Sequence, residues 1–527
     1  MTEIATDKNN PERLAEAARI LAGIVGQQYL LTDIAERRVL SNDIFGWADA
    51  VPCELAVQPA DTQEVSAVVQ GLARLDLPFY VRGGGMSYTK GYVPDAPGRV
   101  LLDLRRLDRI HEINATDRYV IAGAGATWSS VTEALKPYGL KVAFGVPFSG
   151  GYSTVGGALA QGVPSGMQGV LAVEVVRADG SVLRSGAWGR ETSHGAAAPF
   201  IRDHGPDLTG LFLGDTGALG IKTAAVLRLE PRLPYSAHAS FAFGTYEEMA
   251  ACMVALGTHD FLTRRVGLCP FKSRNSAKVG FRESLKTLSD VAANGSSLRA
   301  GLKDASQMVL DGRGFMDGVN WSLHLSTEAP SETLADAQIA CARETCLKHG
   351  KEIASHLPRA MAARGYSVRG FLGRDGQRWV PTNSLWPLSR AVEVATAVQA
   401  FFSARQKEMQ RLGVQESYMT TFGSGYFLCE PSVYWSDEVG ELHLRHLEAD
   451  EASRFRSLPA NPEVRAYVAN LREELVDFFY RLGAVHVQIA RLYRYRETLT
   501  PETRRLVDEL KEVLDPGGRL SPGNLAR

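Results

Sequence analysis

No segment of this chain stays apolar for the ~20 residues that a membrane-crossing helix needs, so membrane insertion is not expected. The first ten residues are polar and mixed in charge. They lack the apolar core of a secretory signal, so the expected location is cytoplasmic. Neither sign of charge is in excess: 58 basic and 59 acidic side chains leave a formal net charge of −1. That removes the electrostatic case for a nucleic-acid partner or an anionic membrane surface. Cysteine is scarce, at six residues in 527. None of Cys53, Cys252, Cys269, Cys341, Cys346 and Cys429 forms a C-x-x-C, and none is spaced with histidines as a zinc set. Iron–sulfur ligation is equally unsupported, no metal is expected, and scattered thiols suit a reducing compartment. Repeats of solenoid period and low-complexity segments are missing too.

Glycine, by contrast, is abundant: 51 residues, much of it before residue 220. That distribution suits a domain that wraps a ligand with backbone. The densest cluster is Arg82-Gly83-Gly84-Gly85-Met86-Ser87-Tyr88, directly after an apolar segment that reads as a buried strand. Consecutive glycines allow positive φ and close approach of the backbone. Successive N–H groups in such a turn form a concave anion site, with Arg82 and Ser87 at its edges to bond phosphate oxygens. The cluster reads as a pyrophosphate cradle, although it is neither G-x-G-x-x-G nor G-x-x-x-x-G-K-[ST]. A second element, Gly145 to Ala158, can run alongside a flat ligand. A third spans Asp207 to Thr223, and a fourth is the turn-rich tail from Asp515 to Asn524.

A chain of this length needs two or more lobes. Helices are predicted over 11–25 and 62–75, the latter capped by Thr62. Strands are predicted over 78–82, 100–104 and 119–122, then a short helix over 127–135. A hairpin is predicted over 172–184, turning at Asp179-Gly180. After residues 231–234 the helices lengthen and glycine thins. Helices are predicted over 332–349, 390–412, 471–482 and 501–514, and β structure over 319–325, 417–435 and 485–489. The mixture is α+β.

Four glycine-rich elements in this order resemble the vanillyl-alcohol oxidase and p-cresol methylhydroxylase superfamily of FAD-linked oxidoreductases. The resemblance covers nearly the whole chain and is strongest over residues 51–231 and 515–524. It rests on residues 82–88, the V-x-L-D-L-type strand 100–104, Gly123-Ala124-Gly125, residues 147–157, residues 214–223 and the D-P…P-G tail. It implies a two-part FAD-binding domain of the p-cresol methylhydroxylase type with an inserted α+β cap that forms the substrate pocket. The corresponding divisions are an N-terminal helical segment (1–50), the FAD domain (51–232), the cap (233–489) and a return to the FAD domain (490–527). The implied cofactor is FAD, bound by Arg82, Gly83, Gly84, Gly85, Met86, Ser87, Pro147, Gly151, Thr154, Gly157, Gly220, Ile221 and Asn524. Some relatives link the flavin through a histidine just before the loop serine. Met86 stands there and cannot form that bond. Residues 422–430, where another branch places its link, have no histidine and only Tyr426 as a loose match. Non-covalent FAD is therefore expected.

The phenol-oxidising branch implies a substrate-binding pair at Tyr493 and Arg494, with Tyr88 as a further tyrosine. The acidic residue that this branch keeps beside the flavin falls at Phe148 here, a departure from its pattern. Glu430 lies inside an apolar strand, where a carboxylate is costly unless partnered, which makes it a fourth catalytic candidate. The 2-hydroxy-acid dehydrogenase branch is the competing reading. His443 and His446, at i and i+3, read as exposed helical residues, and that branch's glycine-containing histidine motif is absent. A third reading is a catalytically silent flavin-binding or electron-transfer subunit. Expected partners are a small-molecule substrate, oxygen or an electron-acceptor protein, and a second copy of the chain as a homodimer.

Overall fold

Val65, Val68, Val69 and Leu72 fall on one stripe of the helix Thr62–Arg74, and all four are fully buried. They share a core with Ala17, Leu21 and Val25 of the helix Pro11–Val25 and with the sheet beneath. The cap of the second helix is Asp61, not Thr62: its carboxylate accepts the Glu64 N–H at 2.8 Å. Asp61 has the extended backbone that a cap requires, whereas Thr62 is already helical and donates its hydroxyl to Glu174 Oε1 at 2.6 Å.

The computed structural model describes residues 11–526 except 146, 148, 163–165, 192–197, 273–317 and 364–370. The chain divides into two units. The first comprises the chain up to Arg232, Gly440–Ser453, and His486 onward; the second comprises Leu233–Val439 and Arg454–Val485. Residues 440–453 and 486–489, assigned to the cap from sequence, thus belong with the first unit.

The first unit holds two sheets. One has the order β1 (Leu30–Leu31), β2 (Leu55–Val57), β4 (Val100–Asp103), β3 (Phe79–Arg82), with β2, β4 and β3 parallel. The other is antiparallel, in the order β5 (Ile110–Asn114), β6 (Tyr119–Gly123), β10 (Ile221–Pro231), β8 (Val170–Val176), β9 (Val182–Arg184). A further strand, β7 (Leu140–Val142), pairs with β10. The β8–β9 turn falls at Asp179-Gly180, where Gly180 has φ +84°.

The second unit is built on one antiparallel sheet. Its order is β14 (Lys351–Ile353), β11 (Tyr235–Phe243), β13 (Trp321–Ala329), β12 (Leu262–Leu268), β17 (Gln415–Phe422), β18 (Tyr426–Trp435), β15 (Arg378–Pro381). A short β16 (Ser384–Pro387) also pairs with β18. The helix predicted over 390–412 is two helices, Ala391–Ser403 and Gln406–Leu412. At the break, the Arg405 guanidinium takes the Phe401 carbonyl at 2.8 Å. The helix predicted to start at 471 begins at Pro462, capped by Asn461. No strand forms over 485–489. Val485 alone bridges to Leu385, and Gln488 and Ala490 have φ of +57° and +39°, which a strand does not accommodate.

Candidate functional site

The first glycine cluster leaves the end of β3, where Arg82 pairs in register with Asp103 of the parallel β4. Asp103 is fully buried. It accepts hydrogen bonds from Arg105 at 2.6 Å and Gln58 at 2.8 Å, with Arg82 Nη1 at 3.9 Å. Burial acts to raise its carboxyl, but the Arg105 hydrogen bond and the Arg82 and Arg105 charges outweigh this and hold it below the ordinary carboxylate range. Asp103 thereby sets its charge beside the guanidinium of Arg82, whose side chain is almost wholly buried and whose Nη1 also donates to the Gly83 carbonyl at 3.0 Å.

Each of the three glycines is required sterically. A Cβ on Gly83 would strike Thr154 Oγ1; one on Gly84 would strike the Tyr152 carbonyl; Gly85 has φ +77° and faces the Arg82 guanidinium. The first and second glycine elements therefore lie back to back. In the second, the Ser149 carbonyl receives the N–H groups of Tyr152 and Ser153, both at 2.8 Å. Thr154 caps the helix Val155–Gln161 and accepts the Gly157 N–H at 3.3 Å. Gly156 packs on the backbone of Ala124, so the Gly123-Ala124-Gly125 segment braces the same loop. Gly151 has open space around its Cβ position, so nothing in its packing demands glycine. Phe148 lies outside the described residues.

The remaining two elements tie this pair together. Asp215, almost fully buried, accepts from Lys222 Nζ at 2.6 Å and from the Gly217 and Leu219 N–H groups, which shapes the third turn. Gly220 is pressed against Val175, and the Ile221 side chain is spent in the hydrophobic core. In the tail, Asp515 organises the turn through Lys511, Arg519 and Leu520, and Leu520 then lies beside Phe79 of β3. Asn524 Nδ2 donates to the carbonyls of Gly91 and Thr216, both at 2.8 Å.

Five polar atoms here are buried with no hydrogen-bond partner: Arg82 Nε, Ser87 Oγ, Ser153 Oγ, Thr216 Oγ1 and Asn524 Oδ1. Each costs about 1–3 kcal/mol if left unsatisfied. Their concentration on the four glycine-rich elements fits a polar, phosphate-bearing ligand such as FAD.

The structure places the catalytic candidates separately. Tyr88 is buried in the loop after the first cluster. Tyr493 is fully buried and stacks on His486, with ring centroids 4.1 Å apart. Arg494 pairs with Glu497 at 3.2 Å, part-exposed. A cavity of about 400 Å³ in the first unit is lined by Gln161, Asp215, His486, Gln488, Tyr495 and Leu525, among others. Tyr495, the residue immediately after the predicted pair, thus faces it. Glu430 lies on β18 of the second unit. Burial pushes its carboxyl up to about 7, with the Lys272 charge partly opposing.

Sequence reasoning read His446 as an exposed helical residue. Instead it packs on the Tyr152 ring at 4.2 Å, and the Tyr152 hydroxyl donates to its carbonyl at 3.3 Å. Burial first, then the charges of Arg82, Arg105 and Arg445, push its imidazole down to about 4. His443 is also buried, at 2% exposure, which corrects its reading as exposed. Neighbouring charges misled that reading, because Arg445 is turned aside to pair with Glu36 at 2.6 Å.

A family model described as an FAD binding domain matches residues 53–186. Over 209 residues the chain is 30% identical to a D-lactate dehydrogenase of Archaeoglobus fulgidus, covering 38% of this chain and 44% of that protein. Over 270 residues it is 27% identical to glycolate oxidase subunit GlcD of Bacillus subtilis, covering 48% and 54%. The chain spans about half, or less, of the length of the curated relatives it matches. Among solved structures, p-cresol methylhydroxylase with substrate bound superposes with a TM-score of 0.72 at 17% identity, covering 98% of this chain and 97% of that one. A 4-ethylphenol oxidase from Gulosibacter chungangensis, in an isoeugenol complex, gives 0.69 at 17% identity, covering 98% of both. At that identity the likeness establishes the fold.

Proposed function

We propose that the chain, whose residues 53–186 match an FAD binding domain, is an FAD-linked oxidoreductase of the vanillyl-alcohol oxidase and p-cresol methylhydroxylase superfamily that holds FAD non-covalently and oxidises a small alcohol or phenolic substrate. The observation that carries the reading is the set of buried, unpartnered polar atoms on two glycine loops that pack against each other with no room for a Cβ at Gly83 or Gly84. In this reading Arg82, Ser87 and Ser153 hold the pyrophosphate. Met86 offers a thioether where a histidyl link would need an imidazole. Bound FAD supplies the acceptor for a substrate hydride. Oxygen or an electron-acceptor protein then takes the electrons.

Tyr493 and Arg494 remain the proposed holders of an ionised substrate oxygen, with Tyr88 alongside. Arg494→Ala should leave FAD bound and slow flavin reduction about 10²–10³-fold. Arg494→Lys should recover little, since lysine lacks the planar fork. The pair with Glu497 is part-exposed, so its loss should cost little stability. A large fall in melting temperature with normal reduction would assign Arg494 to packing instead. Glu430 is the proposed proton acceptor, because its carboxyl changes state near neutrality. Glu430→Gln should remove an ionisation near pH 7 from the pH profile of flavin reduction. An unchanged profile would rule that role out.

A second reading, a 2-hydroxy-acid dehydrogenase, is favoured by the names of the relatives, which include D-lactate dehydrogenases and a glycolate oxidase subunit. One experiment separates the readings. The purified yellow protein is mixed anaerobically with alcohols, phenols and 2-hydroxy acids, and flavin absorbance is followed. Bleaching by alcohols or phenols supports the proposal, and bleaching by 2-hydroxy acids alone supports the second reading. Failure with the whole panel favours a catalytically silent subunit. FAD that stays with acid-precipitated protein would overturn non-covalent binding.

A further inference from the structure

One motif occurs twice in the second unit and plays no part in the cofactor cradle. It is Ser-x-His-x-Ser: residues 236, 238 and 240 on β11, and residues 322, 324 and 326 on β13. Alternate residues of a strand share one face. The two strands are antiparallel, with His238 opposite Ser326 and Ser240 opposite His324. The motifs therefore interleave. His238 Nδ1 meets Ser326 Oγ at 2.8 Å and Nε2 meets Ser236 Oγ at 3.2 Å. His324 Nδ1 meets Ser240 Oγ at 2.8 Å and Nε2 meets Ser322 Oγ at 3.0 Å. The intervening residues, Ala237, Ala239, Leu323 and Leu325, are buried and apolar. One face of this strand pair is thus a continuous run of hydroxyls and imidazoles.

The next strand extends that face with a cation. Arg264 of β12 stands opposite Ser326, in the same row as His238. Its Nη1 is buried with no hydrogen-bond partner. The helix His356–Ala363 packs against β11 and β13 and brings Arg359, whose Nε donates to Ser355 Oγ at 3.2 Å. Arg359 and Arg264 both act on the His238 ring. Glu328, opposite Ser236, is the carboxylate that acts on Arg264. Among the described residues, two guanidiniums, one imidazole and two hydroxyls thus gather around the carboxylate of Glu328. A buried guanidinium N–H without an acceptor costs more than a neutral donor, and an anionic oxygen is its natural partner.

We propose that this row is a phosphate-binding site. Arg264 and Arg359 supply the charge, and Ser236, Ser326 and His238 complete the polar wall. The occupant is inorganic phosphate or the phosphate group of a small ester. The proposal does not depend on the oxidation chemistry.

The test is isothermal titration of the FAD-loaded protein at constant ionic strength, so that the pyrophosphate cradle is already filled. The probes are inorganic phosphate and phenyl phosphate, with chloride as control. Saturable binding of phosphate is expected, and Arg264→Gln and Arg359→Gln should each weaken it about tenfold or more. Arg264→Lys should recover part of the loss. Flavin content and melting temperature show that each variant is folded. Since the two arginines lie on different elements, a fold defect in one variant leaves the other decisive. Phenyl phosphate binding as well identifies an ester as the occupant, and its exclusion identifies the free anion; either supports the site. No saturable heat up to tens of millimolar phosphate would overturn the proposal, as would equal affinity in the wild type and both glutamine variants.

Discussion

At the residue scale, the cradle separates glycines that space demands from those it does not. A Cβ on Gly84 meets a backbone carbonyl, which no rotamer change can relieve, whereas Gly151 has open space. Gly84→Ala is therefore expected to lose most bound FAD, and Gly151→Ala to keep it, as read from the flavin-to-protein absorbance ratio. Ser153→Ala is expected to leave the melting temperature of flavin-free protein unchanged or raised, because a buried hydroxyl without a partner contributes nothing to the fold. The same change should weaken FAD binding about tenfold, by fluorescence titration. A stability loss without an affinity loss would place that hydroxyl outside the cofactor site. The glycine positions were legible in the sequence because backbone approach leaves few residue choices. His446 was not legible, because its neighbours Tyr152 and Arg82 lie about three hundred residues or more away in the chain. The same holds for Tyr495, which faces the cavity through a turn made by left-handed Gln488 and Ala490 rather than by glycine.

At the element scale, the interleaved serine–histidine ladder should make the second unit acid-sensitive. His238 and His324 are both held down to about 3, chiefly by burial. A histidine with a depressed pKa binds its proton more readily when unfolded. Its contribution is full above pH 6.5 and is lost as pH falls from there toward 3. Each ring adds up to about 1.4 kcal/mol per pH unit to that slope. Thermal unfolding followed between pH 7 and 4 should show a steep decline, shallower in a His324→Gln variant. A slope identical in the variant would mean that other groups carry the acid response. Elements marked by local chemistry, such as the Asp-Gly turn of β8–β9 and the helix Thr62–Arg74, were legible. The break at Arg405 was not, since it follows from a guanidinium reaching a carbonyl four residues back.

At the scale of the whole molecule, the chain leaves the first unit after Arg232, re-enters at Gly440–Ser453 and returns for good at His486. The boundary near 232 was legible as a change in glycine content and helix length. The middle passage was not, because its composition matches the charged helices around it. Asn524 is the tail's tie to two distant loops, through the Gly91 and Thr216 carbonyls. Asn524→Leu should thus loosen both together. We expect reduced FAD retention on gel filtration, with the unfolding temperature of the second unit unchanged. Undiminished retention would make the tail an ornament of the fold rather than part of the cradle.

The back-to-back packing of the two glycine loops also limits how such a protein can change over generations. At Gly83 the obstacle is a side chain on the opposite loop, Thr154, so a compensating change there opens a path to a larger residue. At Gly84 the obstacle is main chain, and no substitution at position 152 removes it. A library that randomises residues 83 and 84 together with 152 and 154 should return variety at 83 only in company with small residues at 154. It should return glycine alone at 84.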